Sequence, residues 1–309
     1  MPDKMAFGAK QHLRLILNGK SADREDVRNS VEAVRQMGHK ISVRVTYEAG
    51  DVRRLAGEAL RDHEGKPIDT VVAGGGDGTL QEVLDGVMQN LGEDETPPFS
   101  FAVLPLGTAN DFANQIGLDP ADIHSCLRFA ALADPKPTDI GNVNGSVFLN
   151  MATGGFGTEV TAQTDPQLKR VLGGAAYLFT GLNRFSELSA CEGRIEADDF
   201  SWEGSFLAIA VGNGQQAGGG IRLCPHAKLD DGFLDLTIVP FPKSGTVFDL
   251  LAVLLESGVE ETHTRFIQRR VRDLKIKTEK NFQFNLDGEP KNGQDWQIGI
   301  RQHRIRMRR

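Results

Sequence analysis

Residues Thr70 to Glu82, TVVAGGGDGTLQE, decide how the chain is read. Thr70 to Ala73 is a short apolar run closed by glycines, the pattern of a strand buried on both faces. Gly74, Gly75 and Gly76 follow, then Asp77, Gly78 and Thr79, and beyond them Leu80, Val83, Leu84 and Val87 recur at helical spacing. A strand that passes through a glycine-rich turn into a helix gathers unpaired N–H groups and the positive end of the helix dipole at one point. Such a point binds phosphate, and glycines let the anion reach the backbone without Cβ atoms in its way. The acid inside the turn is informative. Asp77 would repel phosphate unless a divalent cation or a basic neighbour stands between them. A tight turn with no ligand is the competing reading; the four glycines around an acid, closed by Thr79, favour the ligand.

On either side of this stretch the pattern alternates. Strands are expected at Leu13–Leu17, Ile41–Tyr47, Ile68–Ala73 and Phe101–Leu104. Helical spacing lies between them: Val27, Val31 and Val34 after a cap at Ser21 or Asp23, then Val52, Leu55 and Ala56, and finally Ala121–Leu132. This order predicts a parallel sheet covered on both faces, with ligands outside the carboxyl ends of its strands. A second loop there, PLGTANDFA (Pro105 to Ala113), again follows a strand and precedes a short helix expected to begin near Ala109. Thr108, Asn110 and Asp111 are each suited to capping that helix. Two glycine–threonine turns on neighbouring strands, each with an acid (Asp77 and Asp111), are also suited to holding one Mg²⁺–nucleotide. There is no GxxxxGK[ST] and no GxGxxG with an acid about 20 residues on, which excludes the P-loop and the dinucleotide fold.

The texture changes near residue 139. Asp139–Val143 and Val147–Met151 flank Asn144-Gly145, a hairpin signal. Strands are then expected at Glu192–Ala197, Phe206–Gly212, Phe233–Val239, Phe266–Lys277, Phe282–Asp287 and Trp296–Arg306, with helical patterns over Pro166–Leu188 and Thr246–Glu256. Two domains follow from this: residues 8–139, α/β with a parallel sheet, and residues 140–309, a mainly antiparallel β-sandwich.

Composition sets the class. The 309 residues are 39% hydrophobic and 25% charged, as in a folded globular protein. The first ten residues lack the apolar core of a signal peptide. The longest apolar stretch, Val247–Leu255, contains Asp249 and falls far short of the ~20 residues a membrane span needs. Three scattered cysteines fit a reducing compartment and neither a disulfide framework nor a structural zinc site. A soluble cytoplasmic protein is therefore expected. The net charge of −7 is uneven, since residues 265–309 carry +8 and the remainder −15. A basic C-terminal region suits an anionic membrane surface, and the alternation in IRQHRIRMRR equally suits the solvated face of an edge strand.

GGGDGT followed by PLGTANDFA resembles the diacylglycerol kinase catalytic domain, a lipid-kinase family with the pattern GGDGTxNE and a PxGTxNDFA loop. Thr46 in TYEAGD, the run GNGQQAGGG (Gly212 to Gly220) with CPHAKLDDGFLDL (Cys224 to Leu236), and LDGEP (Leu286 to Pro290) extend the likeness over nearly the whole chain. They are most similar to the bacterial YegS-type soluble lipid kinases. One departure is Gln81, where the family has Asn; its amide keeps the same donor and acceptor on a longer stem. The resemblance implies a Rossmann-like first domain of the NAD-kinase and diacylglycerol-kinase kind. It implies ATP on Gly76, Asp77, Gly78, Thr79, Leu80, Gln81 and Glu82, with Thr46 and Thr108, and Glu289 as the general base. It also implies a second-domain metal site, for Mg²⁺ or Ca²⁺, at Lys228, Asp231 and Phe233, built partly from main-chain oxygens. The substrate would be a lipid hydroxyl, of phosphatidylglycerol or diacylglycerol, reached by transient contact with an anionic membrane at its inner face. A homodimer is compatible with this reading, and no nucleic acid is expected. Without the likeness, Asp230-Asp231-Gly232 and Asp287-Gly288 read as turns, Glu289 as an exposed acid, and Asn150, Asn213 and Asn285 have no role. Two alternatives stand beside the lipid kinase: an NAD kinase, which also carries GGDGT, and an inactive nucleotide-binding regulator.

Overall fold

The computed structural model describes residues 9–61, 67–155, 191–241 and 266–309. The helices expected over Pro166–Leu188 and Thr246–Glu256 lie outside these residues. The chain divides into two units, residues 1–138 joined by Arg304–Arg309, and Asp139–His303.

In the first unit β1 (His12–Leu17), β3 (Thr70–Gly75) and β4 (Ser100–Pro105) are buried at every residue. Successive side chains point to opposite faces of a strand, so burial of all of them means both faces are covered. β1 pairs in parallel with β2 (Lys40–Val45) and β3, and β3 in parallel with β4, giving the order β2-β1-β3-β4. Leu13, Leu15 and Leu17 pack on Val27, Val31 and Val34 of α1 (Glu25–Gln36) and on Ile123 and Leu127 of α5 (Ile123–Leu132). Between these elements lie α2 (Asp51–Glu58), α3 (Asp77–Met88) and the short α4 (Asp111–Gln115). Parallel pairing brings the exits of β1, β2, β3 and β4 to one edge. No described helix is long and apolar enough to cross a membrane.

The last six residues complete this unit, whereas the sequence places them with the second. β13 (Glu289–Arg308) is one unbroken strand, and its alternation does not reveal where its packing partners change. Met307 pairs in parallel with Phe101 of β4. Arg304 and Arg308 are only 9% and 6% exposed. Arg304 Nη2 donates to the Gly92 carbonyl at 2.6 Å, and Arg308 donates to Thr70 Oγ1 at 2.9 Å, Gln11 Oε1 at 2.8 Å and the Ala133 carbonyl. Arg309 donates to Thr138 Oγ1 and the Pro137 carbonyl, both at 3.0 Å. The C-terminal basic residues thus fasten the end of the chain inside the first unit. Arg304 and Arg308 are turned inward, whereas both readings of the sequence place them at the surface.

The second unit is built from antiparallel pairs. β5 (Pro135–Val143) turns into β6 (Ser146–Phe148) through Asn144 and Gly145, whose φ values of 50° and 88° suit a two-residue hairpin turn of type I′. β7 (Met151–Gly155) and β8 (Cys191–Ala197) each pair with two long strands, β9 (Phe200–Gly212) and β12 (Asp273–Leu286). β10 (Leu234–Pro240) adds to β9, β11 (Ile267–Val271) to β10, and β13 to β12. Edge-to-face contacts run from Phe206 to Phe282, Phe284 and Trp296, with centroids 5.4, 5.2 and 5.0 Å apart, and form the middle of the core. Two expected strands are interrupted. Phe266–Lys277 breaks at Arg272, between β11 and β12. Val147–Met151 breaks at Leu149 and Asn150, whose N–H groups are drawn to the Asp287 carboxylate rather than to a ladder.

Candidate active site

The exits of the four parallel strands are tied together by their own backbones. Asn18 N–H, at the end of β1, donates to the Gly74 carbonyl at 3.0 Å, and Leu106 N–H, at the end of β4, donates to Gly75 at 3.0 Å. Thr46, just past β2, donates its N–H to Leu17 at 2.9 Å and accepts the Gly19 N–H on Oγ1 at 3.1 Å. The two glycine loops then meet face to face. A Cβ placed on Gly107 would lie 2.4 Å from Gly76 Cα, so neither loop has room for a side chain where they cross.

Asp77 locks this crossing. Its Oδ2 accepts the Asp111 N–H at 3.0 Å and its Oδ1 the Phe112 N–H at 2.9 Å. These are orphan donors of the first turn of α4, which has no cap of its own from Asn110. Asn110 sits instead at φ 51° and closes its own loop, accepting Gly107 N–H at 2.9 Å and donating to the Gly107 carbonyl at 3.0 Å. Asp77, expected to grip a cation, therefore clamps one glycine loop to the other. The cap expected within PLGTANDFA comes from across the crevice, because parallel neighbours place the start of α3 beside the start of α4.

The other expected nucleotide residues divide by position. Gly76, Asp77, Gly78 and Thr79 are half-buried around the N-terminus of α3, which has no side-chain cap. Their loop, Thr46 and exposed Thr108 share the carboxyl edge of the sheet. Leu80 and Gln81 are 2% and 1% exposed, and the Leu80 N–H is spent on the Gly76 carbonyl at 3.1 Å, so Leu80 serves the core. Glu82 turns to Arg53 of α2, 3.5 Å away, and the same guanidinium holds Asp85 at 3.1 Å. Below Thr46, Asp51 accepts the N–H groups of Tyr47 and Glu48 at 2.7 and 3.1 Å. Its bond with Arg54 and those two N–H groups hold its carboxyl down at about 2. One segment that the sequence reading leaves without a role, Asn18-Gly19-Lys20, lies at the same edge with Lys20 exposed. The signal was available, since it also follows a buried strand at its carboxyl end.

In the second unit Glu289 is half-buried and opens β13, directly after the Asp287-Gly288 turn. The expected metal ligands, Lys228, Asp231 and Phe233, are close in sequence, and the one carboxylate among them is engaged by protein groups. Asp231 Oδ2 is held by Arg270 at 2.5 Å and its Oδ1 accepts the Phe233 N–H at 3.2 Å. Arg270 also lies 3.8 Å from Asp235, and its guanidinium stacks on the Phe233 ring at 4.4 Å. Arg270 thus supplies positive charge beside the Asp231 carboxylate and Lys228 is exposed, while a main-chain oxygen ligand depends on neither side chain. Burial raises the Asp235 carboxyl to about 6, with Arg270 opposing the shift and Asp231 adding to it. Among the described residues no three His, Cys, Asp or Glu side chains form a metal cluster.

The family is decided by comparison with known proteins. Residues 12–143 match the diacylglycerol kinase catalytic domain, and residues 151–303 match the YegS C-terminal NAD kinase beta sandwich-like domain. The Pseudomonas aeruginosa protein named "Probable lipid kinase YegS-like" is 47% identical over 302 residues, spanning 96% of this chain and 94% of its own. This chain belongs to the YegS-like lipid kinases. A member from Alcanivorax borkumensis is 46% identical, with 95% of both chains covered. The crystal structure of a diacylglycerol kinase from Bacillus anthracis shares the fold at a TM-score of 0.75 and 22% identity, covering 96% of each chain. As a YegS-like lipid kinase, the protein is an ATP-dependent phosphotransferase with a lipid acceptor.

Proposed function

We infer that MgATP lies on the crossed glycine loops of the first unit and that its γ-phosphate passes to the hydroxyl of phosphatidylglycerol or diacylglycerol. The crossing carries this reading. Two glycine turns in backbone contact, beside an uncapped helix N-terminus, offer N–H donors to phosphate oxygens with no side chain to hold them off. Thr46 and Thr108 supply hydroxyls beside them, and Lys20 adds a positive charge at the same edge. Leu80 and Glu82 act from behind: one seats α3 in the core and the other joins it to α2 through Arg53.

Transfer needs little covalent work from the protein beyond orientation and charge. Glu289 takes the proton of the lipid hydroxyl as that oxygen bonds to the γ-phosphorus. The bond from phosphorus to the β–γ bridging oxygen breaks, and ADP leaves with the electron pair. Mg²⁺ arriving with the nucleotide neutralises phosphate oxygens. The protein meets the membrane only at its surface, in the compartment that holds ATP, and Arg304 and Arg308 take no part in that contact.

Purified protein with γ-labelled ATP and mixed vesicles tests this. Label is expected in phosphorylated phosphatidylglycerol or diacylglycerol, with none in NAD supplied as a competing acceptor. Label in NAD, or ATP consumption with no lipid product, would contradict it.

A further inference from the structure

The Asp287-Gly288 turn joins β12 to β13 and presents Glu289 as the first residue of the returning strand, opposite Leu286. Asp287 has a φ of 49°, a left-handed conformation that Asp tolerates better than most residues and that must still be held in place. Its carboxylate provides the hold. Oδ2 accepts the N–H groups of Leu149 at 2.6 Å and Asn150 at 3.1 Å, and Oδ1 accepts Met151 N–H at 2.7 Å. Asp287 N–H returns a bond to the Met151 carbonyl at 3.2 Å. Asn285 Oδ1 accepts Gly288 N–H at 2.6 Å and closes the turn from its other side. Successive backbone N–H groups converging on one point form the concavity proteins use for anions. Here the anion is a side chain of the same chain.

The grip continues into the glycine-rich segment that follows β9. The Asn150 carbonyl accepts Asn213 N–H at 3.0 Å and Gly214 N–H at 2.6 Å, while Asn150 Nδ2 donates to the Gln216 carbonyl at 2.6 Å. Asn213, fully buried, donates from Nδ2 to the Leu149 carbonyl at 2.6 Å and to the Asp139 carbonyl at 3.0 Å. The three asparagines without a role in the sequence thus belong to one frame around the turn.

We propose that Asp287 is the positioning residue of Glu289, fixing the turn that carries the base by gripping three consecutive N–H groups of Leu149, Asn150 and Met151. Asn150 and Asn213 tie the same frame to Gly214 and Gln216. The proposal rests on Glu289 being the base, and it assigns Asp287 no contact with lipid or nucleotide. Loss of the grip therefore costs turnover while nucleotide binding, a property of the first unit, is kept.

The test is steady-state transfer from γ-labelled ATP to vesicles of phosphatidylglycerol and diacylglycerol. The native protein is compared with Asp287→Asn, Glu289→Gln and the double variant. Asp287→Asn is expected to lower kcat about 100-fold, the scale of an ångström of misplacement, with KM for ATP unchanged. The double variant is expected to be no slower than Glu289→Gln alone, because residues acting as one unit do not add. Three results overturn the proposal: kcat of Asp287→Asn within about threefold of native, losses that multiply in the double variant, or a matching rise in KM for ATP. Asp287→Glu keeps the charge on a longer stem and covers the case in which Asp287→Asn does not fold. It should lose roughly 10-fold or more in kcat, and full turnover by it is equally fatal. Full turnover by Glu289→Gln removes the base and this proposal together; a normal loss there with an active Asp287→Asn removes the proposal alone.

Discussion

Replacing Asp77 by Ala separates its two conceivable jobs. The carboxylate accepts the Asp111 and Phe112 N–H groups at 3.0 and 2.9 Å, and both of those residues are buried. A bond to a charged acceptor contributes ~1.5–3 kcal/mol and a helix cap ~0.5–2. Asp77 is half-exposed, so the lower part of the range applies and the pair together stabilises the first unit by about 2–3 kcal/mol. For a unit of this size each kcal/mol moves the midpoint by roughly 2–4 °C, giving a loss of about 5–10 °C. Asp77→Asn keeps one acceptor and turns an amide towards the second N–H, so at least half of that loss should remain. Calorimetry is the right assay, because both tryptophans, Trp202 and Trp296, lie in the second unit and fluorescence would report on that unit. Transfer should fall with stability as the loops separate. An Asp77→Ala protein that is inactive yet melts within about 1 °C of native would refute the clamp and return Asp77 to a purely ligand-facing role.

Other outcomes follow from the same geometry. Glu289→Gln should bind ATP with native affinity and lose roughly 10²–10⁴-fold in transfer, which equilibrium binding and turnover measured on one preparation will check. Arg308→Ala removes a guanidinium bonded to Thr70, Gln11 and Ala133 and should cost about 2–4 kcal/mol on thermal unfolding, while affinity for anionic vesicles stays unchanged. Asp235, raised to about 6 by burial, binds its proton more tightly folded than unfolded. Its contribution to stability is therefore complete below its ordinary value near 3.8 and is lost as pH rises towards 6; Asp235→Asn should flatten the melting profile over that window.

Much of the fold was legible because burial leaves a direct trace. β1, β3 and β4 are covered on both faces, so their sequences are nearly continuous apolar runs, and Asn144-Gly145 names its own turn. What was hidden depends on partners far along the chain. Nothing local to Val147–Met151 announces that a carboxylate 136 residues further on takes the Met151 N–H. The arginines of IRQHRIRMRR read as surface because strand alternation does not distinguish a solvent face from one lined by backbone carbonyls. At the site, the glycines and acids of both loops lie at one edge of the sheet, but the bonds from Asp77 to the Asp111 and Phe112 N–H groups were not legible, because those partners belong to another loop. Asn18-Gly19-Lys20 carries no mark of its position in its composition, because a polar turn after a strand looks the same at either edge of a sheet.

Hydrogen–deuterium exchange with and without MgATP reaches the nucleotide site without altering a residue. Protection is expected in peptides covering Asn18–Ser21, Gly74–Leu80 and Gly107–Phe112, with the β8–β9 strands unaffected. Unchanged exchange at Gly74–Leu80 and Gly107–Phe112, with protection confined to other segments, would contradict the assignment of ATP to the crossed loops.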